Sequence, residues 1–185
     1  MILPIYVYGS NVLRKRAEEI DIKKETGLQK LIEDMHQTMK EADGVGIAAP
    51  QVGHSIRLAI VDGSGLEEDM PELKGFLRVM INPQIIEESE ETIEYSEGCL
   101  SVPNVHADII RPKKIKVKYL NKEYEEIVEE FDGFGCRMIQ HELDHLDGHL
   151  FIDKASPIRK KMIQGKLTNI ANGKGRTYYK TKLEK

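Results

Sequence analysis

Cysteine is scarce in this chain of 185 residues: Cys99 and Cys136 are the only two, and no framework of them can be drawn. A disulfide-held secreted scaffold is thereby excluded, and in a reducing compartment either thiol is free to bind metal. Long hydrophobic runs are lacking as well. The first ten residues carry no basic n-region and are interrupted by Pro4, so no signal peptide is read there. No stretch is long and apolar enough to span a bilayer. Repeats and linkers are absent too. What is present, 40% hydrophobic residues and a net charge of -4, suits one soluble domain whose core needs no staples, with cytoplasm as the expected compartment.

Against that background one stretch stands out, Gln140-His141-Glu142-Leu143-Asp144-His145. It reads His-Glu-x-x-His inside a helical pattern, with Asp132 as the expected N-cap and Gly148 as the stop. Four residues make about one turn, so His141 and His145 share a face, where two imidazoles can grip one metal ion. Glu142 between them can reach a water on that metal. Phe134 and Met138 continue the histidine stripe, while Ile139, Leu143 and Leu146 form a second apolar stripe. A helix apolar on two sides belongs between layers.

The rest of the chain gives a coarse order of elements. An amphipathic helix is expected from Thr26 to Ala42, with Leu28, Leu31, Ile32, Met35 and Met39 inward and His36 solvated. Gly44-Val45-Gly46-Ile47-Ala48-Ala49-Pro50-Gln51 superficially matches a dinucleotide fingerprint. A helix precedes it where a strand is required, however, and Pro50 would interrupt the helix that should follow. It reads either as an extended Gly-rich edge offering the Gln51 amide or as an ordinary loop. Strands are expected at Ile56–Asp62, Leu77–Asn82, Ile85–Ser89 and Thr92–Tyr95, with Asn82-Pro83 as a turn. Lys113–Leu120 and Glu125–Phe131 should form a hairpin. Pro157 opens a last helix with Ile158, Met162, Ile163, Leu167 and Ile170 on one side. Short strands followed by one buried helix imply an α+β fold.

A catalytic divalent metal wants three protein ligands and an open position, and the helix supplies two. His149 lies past the expected helix stop. Cys99, in Glu97-Gly98-Cys99-Leu100-Ser101, is the stronger third ligand, because a thiolate binds zinc or ferrous iron well. Cys136 should face away from the site, roughly 140° round the helix from His141. His106 is a candidate for the cleft wall, and Glu97 with Arg111 for a buried pair holding the ligand turn.

Three stretches, 44–51, 97–101 and 140–145, together resemble the signature motifs of peptide deformylases, in the right order. The resemblance spans about residues 1 to 155. It implies removal of the formyl group from the formylmethionine of nascent polypeptides, by a fold of antiparallel sheets wrapped around a central metal-binding helix, with a C-terminal helix. It implies metal ligands at Cys99, His141 and His145, a general base at Glu142, and oxyanion contacts from the Gln51 amide and the Leu100 backbone N–H. The implied ion is ferrous iron, with zinc, nickel or cobalt able to replace it. Val45, Gly46 and Gly98 are expected to pair with the peptide backbone, and Val45, Phe134 and Met138, with His141, to wall the methionine pocket. Another His-Glu-x-x-His metallopeptidase is the alternative, but it leaves Cys99 and Gln51 without a task. A structural metal would want a fourth ligand and leave Glu142 idle.

Residues 1–170 are expected to form one catalytic domain, and 171–185 a disordered basic tail. From Lys154 onward ten Lys or Arg stand against Glu184 alone, in a chain of net charge -4. A basic end on an acidic body points to a polyanionic partner, and the ribosome is the candidate that the resemblance suggests.

Overall fold

The computed structural model describes residues 1–185. In chain order the elements are β1 (Ile5–Tyr6), α1 (Leu28–Glu41), β2 (Gly46–Ala48), β3 (Leu58–Asp62), β4 (Leu77–Glu88), β5 (Thr92–Cys99) and β6 (Val102–Pro112). Then come β7 (Ile115–Leu120), β8 (Glu126–Phe131), α2 (Gly133–Leu146), α3 (Pro157–Ala171) and β9 (Thr181–Lys182). The fold is α+β. A five-stranded antiparallel sheet runs β2-β3-β4-β7-β8, β5 pairs with β6 in a two-stranded ribbon, and β1 pairs with β9.

The sheet is covered on both faces, which is why every residue of β3 is buried. Alternate residues of a strand point to opposite sides. Ala59 and Val61 pack with Met138, Ile139, Leu143 and Leu146 of α2, while Leu58 and Ile60 pack with Met35 and Met39 of α1. The other side of α2 meets the β5–β6 ribbon through Arg137, which bonds the Ile109 and Ile93 carbonyls, and the outer layer of the ribbon is α3 with the turn at Phe151. α2 is thus enclosed between the sheet, which takes residues of both apolar stripes, and the ribbon, which meets its polar side.

Several sequence expectations need adjustment. Leu77–Glu88 is one strand, not two with a turn between them. Asn82 takes a positive φ of 50° and the register with β7 shifts between Ile81 and Gln84, so Asn82-Pro83 makes a bulge. β6 was not legible as a strand. Its buried positions alternate with Asn104, His106 and Asp108, polar residues that mask the pattern. In α3 only Ile163, Leu167 and Ile170 are buried, whereas Ile158 and Met162 are exposed. His36 is half-buried, its Nε2 lying 2.7 Å from Asp62 Oδ2 across α1 and β3.

The C-terminal segment differs from the disordered tail expected of its composition. β9 runs parallel to β1, pairing Thr181 with Ile5 and Lys182 with Tyr6. The Asn11 N–H donates to Glu184 O and the Glu184 N–H to Ser10 Oγ, and Leu183 packs on the core beneath. The edge of β1 offers unpaired backbone groups, and polar composition does not prevent the tail from satisfying them.

Candidate metal centre

α2 presents the two histidines because its ends are fixed. Asp132 occupies the N-cap position without a side-chain bond to the helix. At the other end Gly148 has φ 77°, and a Cβ there would lie 2.6 Å from Arg14 O, so glycine is required. The His141 and His145 rings meet edge to face with centroids 5.2 Å apart. β5 ends at Cys99, where a register shift after Glu97 turns the chain and pairs Cys99 with Val102. The turn brings Cys99 Sγ to 3.4 Å from His145 Nε2. The ligand atoms of Cys99, His141 and His145 all lie within 4.8 Å of one another.

Glu97 orients this group. It accepts a bond from His141 Nδ1 at 2.8 Å, which leaves the other ring nitrogen to face Cys99 and His145. Arg111 holds Glu97 with two bonds, 2.7 and 2.9 Å, and its Nη1 donates to Asp144 at 2.7 Å. Arg137 also donates to Glu97, as well as to the Ile109 and Ile93 carbonyls at 2.9 and 2.7 Å. All three members are nearly inaccessible, so the pair expected at Glu97 and Arg111 is a buried network. Burial alone would raise the Glu97 pKa, but the bonds from His141 and Arg111 outweigh it and hold the carboxylate ionised far below its usual range. Burial pulls His141 down, yet the Cys99 thiol and Glu97 carry it well above its ordinary value. His145, buried and beside His141, is pushed well below its own.

Glu142 sits beside the histidines with Oε2 buried and unpartnered, and burial raises its pKa to about 7. Gly46 makes this packing feasible, because a Cβ there would lie 2.5 Å from Glu142 Oε1. Gln51 lies on the short 3-10 turn after β2 and is fully buried. Its Oε1 accepts the Ala48 N–H at 2.9 Å, so Nε2 points to the site, where it meets Ser101 Oγ at 3.1 Å and Cys99 Sγ at 3.5 Å.

These groups open onto one cavity of ≈ 580 Å³, which is also lined by Val45, Gly46, Gly98, Leu100, His106, Phe134 and Met138. A thiol and two imidazoles converge next to a buried carboxylate oxygen without a partner, and this donor set suits a divalent ion of borderline softness. Cys136 lies apart, buried, with Gln140 Nε2 3.1 Å from its Sγ. His149 is exposed beyond the helix stop. Sequence reasoning missed Arg137, although an arginine one turn before His141 on a buried helix was a usable signal. Asp144 and Ser101 stand inside two of the motifs but were given no task, and the tail residues 176–179 that line the cavity carried no local sign in the sequence.

The chain matches the family model described as Polypeptide deformylase over residues 2–161. It is 43% identical over 183 residues to a peptide deformylase of Cytophaga hutchinsonii, covering 99% of this chain and 98% of that one. Among solved structures, the peptide deformylase of Thermotoga maritima is 44% identical with a TM-score of 0.76, over 85% of this chain and 99% of that chain. The enzyme from Thermus thermophilus is 36% identical with a TM-score of 0.83, over 94% and 99%.

Proposed function

The chain belongs to the polypeptide deformylase family and is a metal-dependent hydrolase that removes the N-formyl group of nascent peptides; from that premise we propose that Cys99, His141 and His145 hold the metal, that Glu142 moves the proton, and that Gln51 and the Leu100 N–H receive the developing charge. One observation carries this reading. The three ligand atoms converge within 4.8 Å, against the unpartnered carboxylate oxygen of Glu142.

When bound, the ion supplies a Lewis-acidic position that polarises the formyl oxygen and lowers the pKa of water there towards about 7. Glu142 accepts the proton of the attacking water at its free oxygen. Burial favours its protonated form, which suits a group that must hold a proton in transit. Glu142 then delivers the proton to the leaving amine, and formate departs. Charge building on the formyl oxygen meets Gln51 Nε2 and the Leu100 N–H, and one such donor is typically worth about 3 kcal/mol. Gln51 does not have to reorganise, because the Ala48 N–H already holds its amide. The peptide backbone pairs with Val45, Gly46 and Gly98 as an added strand, and Phe134 and Met138 wall the methionine pocket.

Thiolate and imidazole together accept Fe2+, Zn2+, Ni2+ or Co2+, and we assign ferrous iron as the native ion. Residues 1–170 supply every group given a role in the reaction, and the segment after them joins the same domain through β9 and Leu183. Cytoplasm is the proposed compartment; no helix is long and apolar enough to cross a membrane. The basic C-terminal segment is proposed to meet the ribosome.

Formate release from formyl-Met-Ala by the metal-loaded chain tests the reaction. Glu142→Gln should keep the metal and lose about 100-fold or more in turnover, the size of a general-base contribution. Near-parental turnover in that variant overturns the mechanism, and cleavage of internal peptide bonds without formate release overturns the activity in favour of an ordinary metallopeptidase.

A further inference from the structure

Gly173 leaves α3 with φ 76°, and β9 is fastened to β1 a few residues later. Between these fixed points the chain crosses the mouth of the catalytic cavity, and Arg176, Thr177, Tyr178 and Tyr179 line it. Three hydrogen bonds hold the crossing in place. Asn104 Nδ2 donates to Arg176 O at 3.1 Å, the Tyr178 hydroxyl to Ala42 O at 2.9 Å, and the Tyr179 hydroxyl to Leu100 O at 2.6 Å. The segment therefore bridges both rims, the one running from Ala42 to Gly46 and the one at Cys99 and Leu100. It also lies beyond residue 161, where the match to the family model ends.

The position along the cleft identifies what the segment would touch. Gly46 abuts the Glu142 carboxylate, so the reacting carbon belongs at that end of the first rim. Ala42 is four residues back, at most about 13 Å at 3.3 Å per residue. Ala42 caps α1 and Asp43 turns with φ 54°, so the rim is not extended there, and an extended peptide whose formyl group lies beside Gly46 spans the distance to Ala42 within its first four residues. Tyr178 stands there, 74% exposed. Arg176 makes no salt bridge with any carboxylate of the chain, whereas Arg137, the other guanidinium of the cavity, is spent on Glu97.

We propose that residues 176–179 form the outer wall of the peptide cleft and set a preference for substrate residues beyond the formylmethionine, with Arg176 favouring an acidic side chain and Tyr178 packing on the extended backbone. The inference rests on the deformylase reading above. Tyr179 acts as an anchor, fixing the wall to the turn that carries Leu100.

The test compares kcat/KM of the metal-loaded full chain for formyl-Met-Ala, formyl-Met-Ala-Ala-Asp and formyl-Met-Ala-Ala-Lys at low ionic strength. The parent should favour the Asp over the Lys peptide by about threefold, as expected of an exposed charge pair, and Arg176→Glu should reverse the order. Tyr178→Ala should lower the advantage of either tetrapeptide over formyl-Met-Ala by about fivefold, the value of a lost aromatic contact. Each readout is a ratio within one protein, so a general loss of fold or metal divides out. Ratios equal in parent and variants overturn the wall while leaving the deformylase reading intact. A parent that releases no formate even from formyl-Met-Ala overturns that reading, and the wall with it.

Discussion

Glu97 touches Arg111, Arg137 and His141 at once, so the ligand turn on β5 and the ligand helix are held by one carboxylate. An isolated charge could not remain ionised at that depth, and the bonds from His141 and Arg111 make it possible. Arg111→Ala should therefore break a buried ion pair, leaving Glu97 only Arg137 and His141, and cost about 3–5 kcal/mol. A thermal or urea melt measures this, and a loss under about 1 kcal/mol would mean that the pair behaves as a solvated one. The two thiols should separate just as clearly. In cobalt-substituted protein the thiolate-to-metal charge-transfer band should vanish in Cys99→Ser and persist in Cys136→Ser. If the band follows Cys136, the ligand assignment is wrong. Cys99 lies beside the histidines and Cys136 beneath Gln140, so the spectrum reads the geometry directly.

In the contact between β2 and α2, the fit places the Glu142 carboxylate, the proposed base. Gly46 is the point of contact, and the Cβ of an alanine there would fall 2.5 Å from Glu142 Oε1. The carboxylate must move or the strand must withdraw. Gly46→Ala should lower turnover on formyl-Met-Ala by about 100-fold, the loss expected when a general base is misplaced. Melting should shift little, because β2 keeps its pairing to β3 through Ile47 and Ala48. Turnover unchanged in this variant would show that Glu142 has more room than the packing suggests. The helix itself was readable from its period and from Gly148. The strand at 102–112 was not, because its outward residues carry charge and amide groups that local pattern reading assigns to loops.

Across the whole molecule, charge and tail placement matter together. Lys160, Lys161 and Lys166 project from the exposed face of α3, whereas the Arg159 guanidinium is engaged by the His106 carbonyl at the surface. Replacing the three lysines with Gln should abolish co-sedimentation with ribosomes at low salt, and the parent's co-sedimentation should weaken steeply as ionic strength rises. Equal co-sedimentation of both proteins, or no salt dependence in the parent, would remove α3 as the contact. The end of the chain does more than carry charge: Leu183 packs against the core and Tyr179 reaches the ligand turn. Composition assigned it to disorder because hydrophilic segments bury little area, yet a short strand needs only one free edge to pair with.

Features that depend on short-range spacing were readable from the order of residues alone. His141, Glu142 and His145 share one helical turn, Gly148 ends that helix, and Cys99 offers a thiol, whereas the part expected of Gln51 came only from the resemblance to deformylases. Peptide geometry fixes such relations over a few residues, so they survive without the fold. Tertiary structure decided the distances between segments far apart in the chain. It brought Arg137 and Arg111 onto Glu97, Asp144 onto Arg111, and Tyr178 and Tyr179 across the cavity mouth. Those contacts arise where the ribbon, the helix and the last strand close on one another, and burial alone makes them strong. No local pattern encodes which charge will be desolvated beside which partner, since that depends on the packing of all the layers at once.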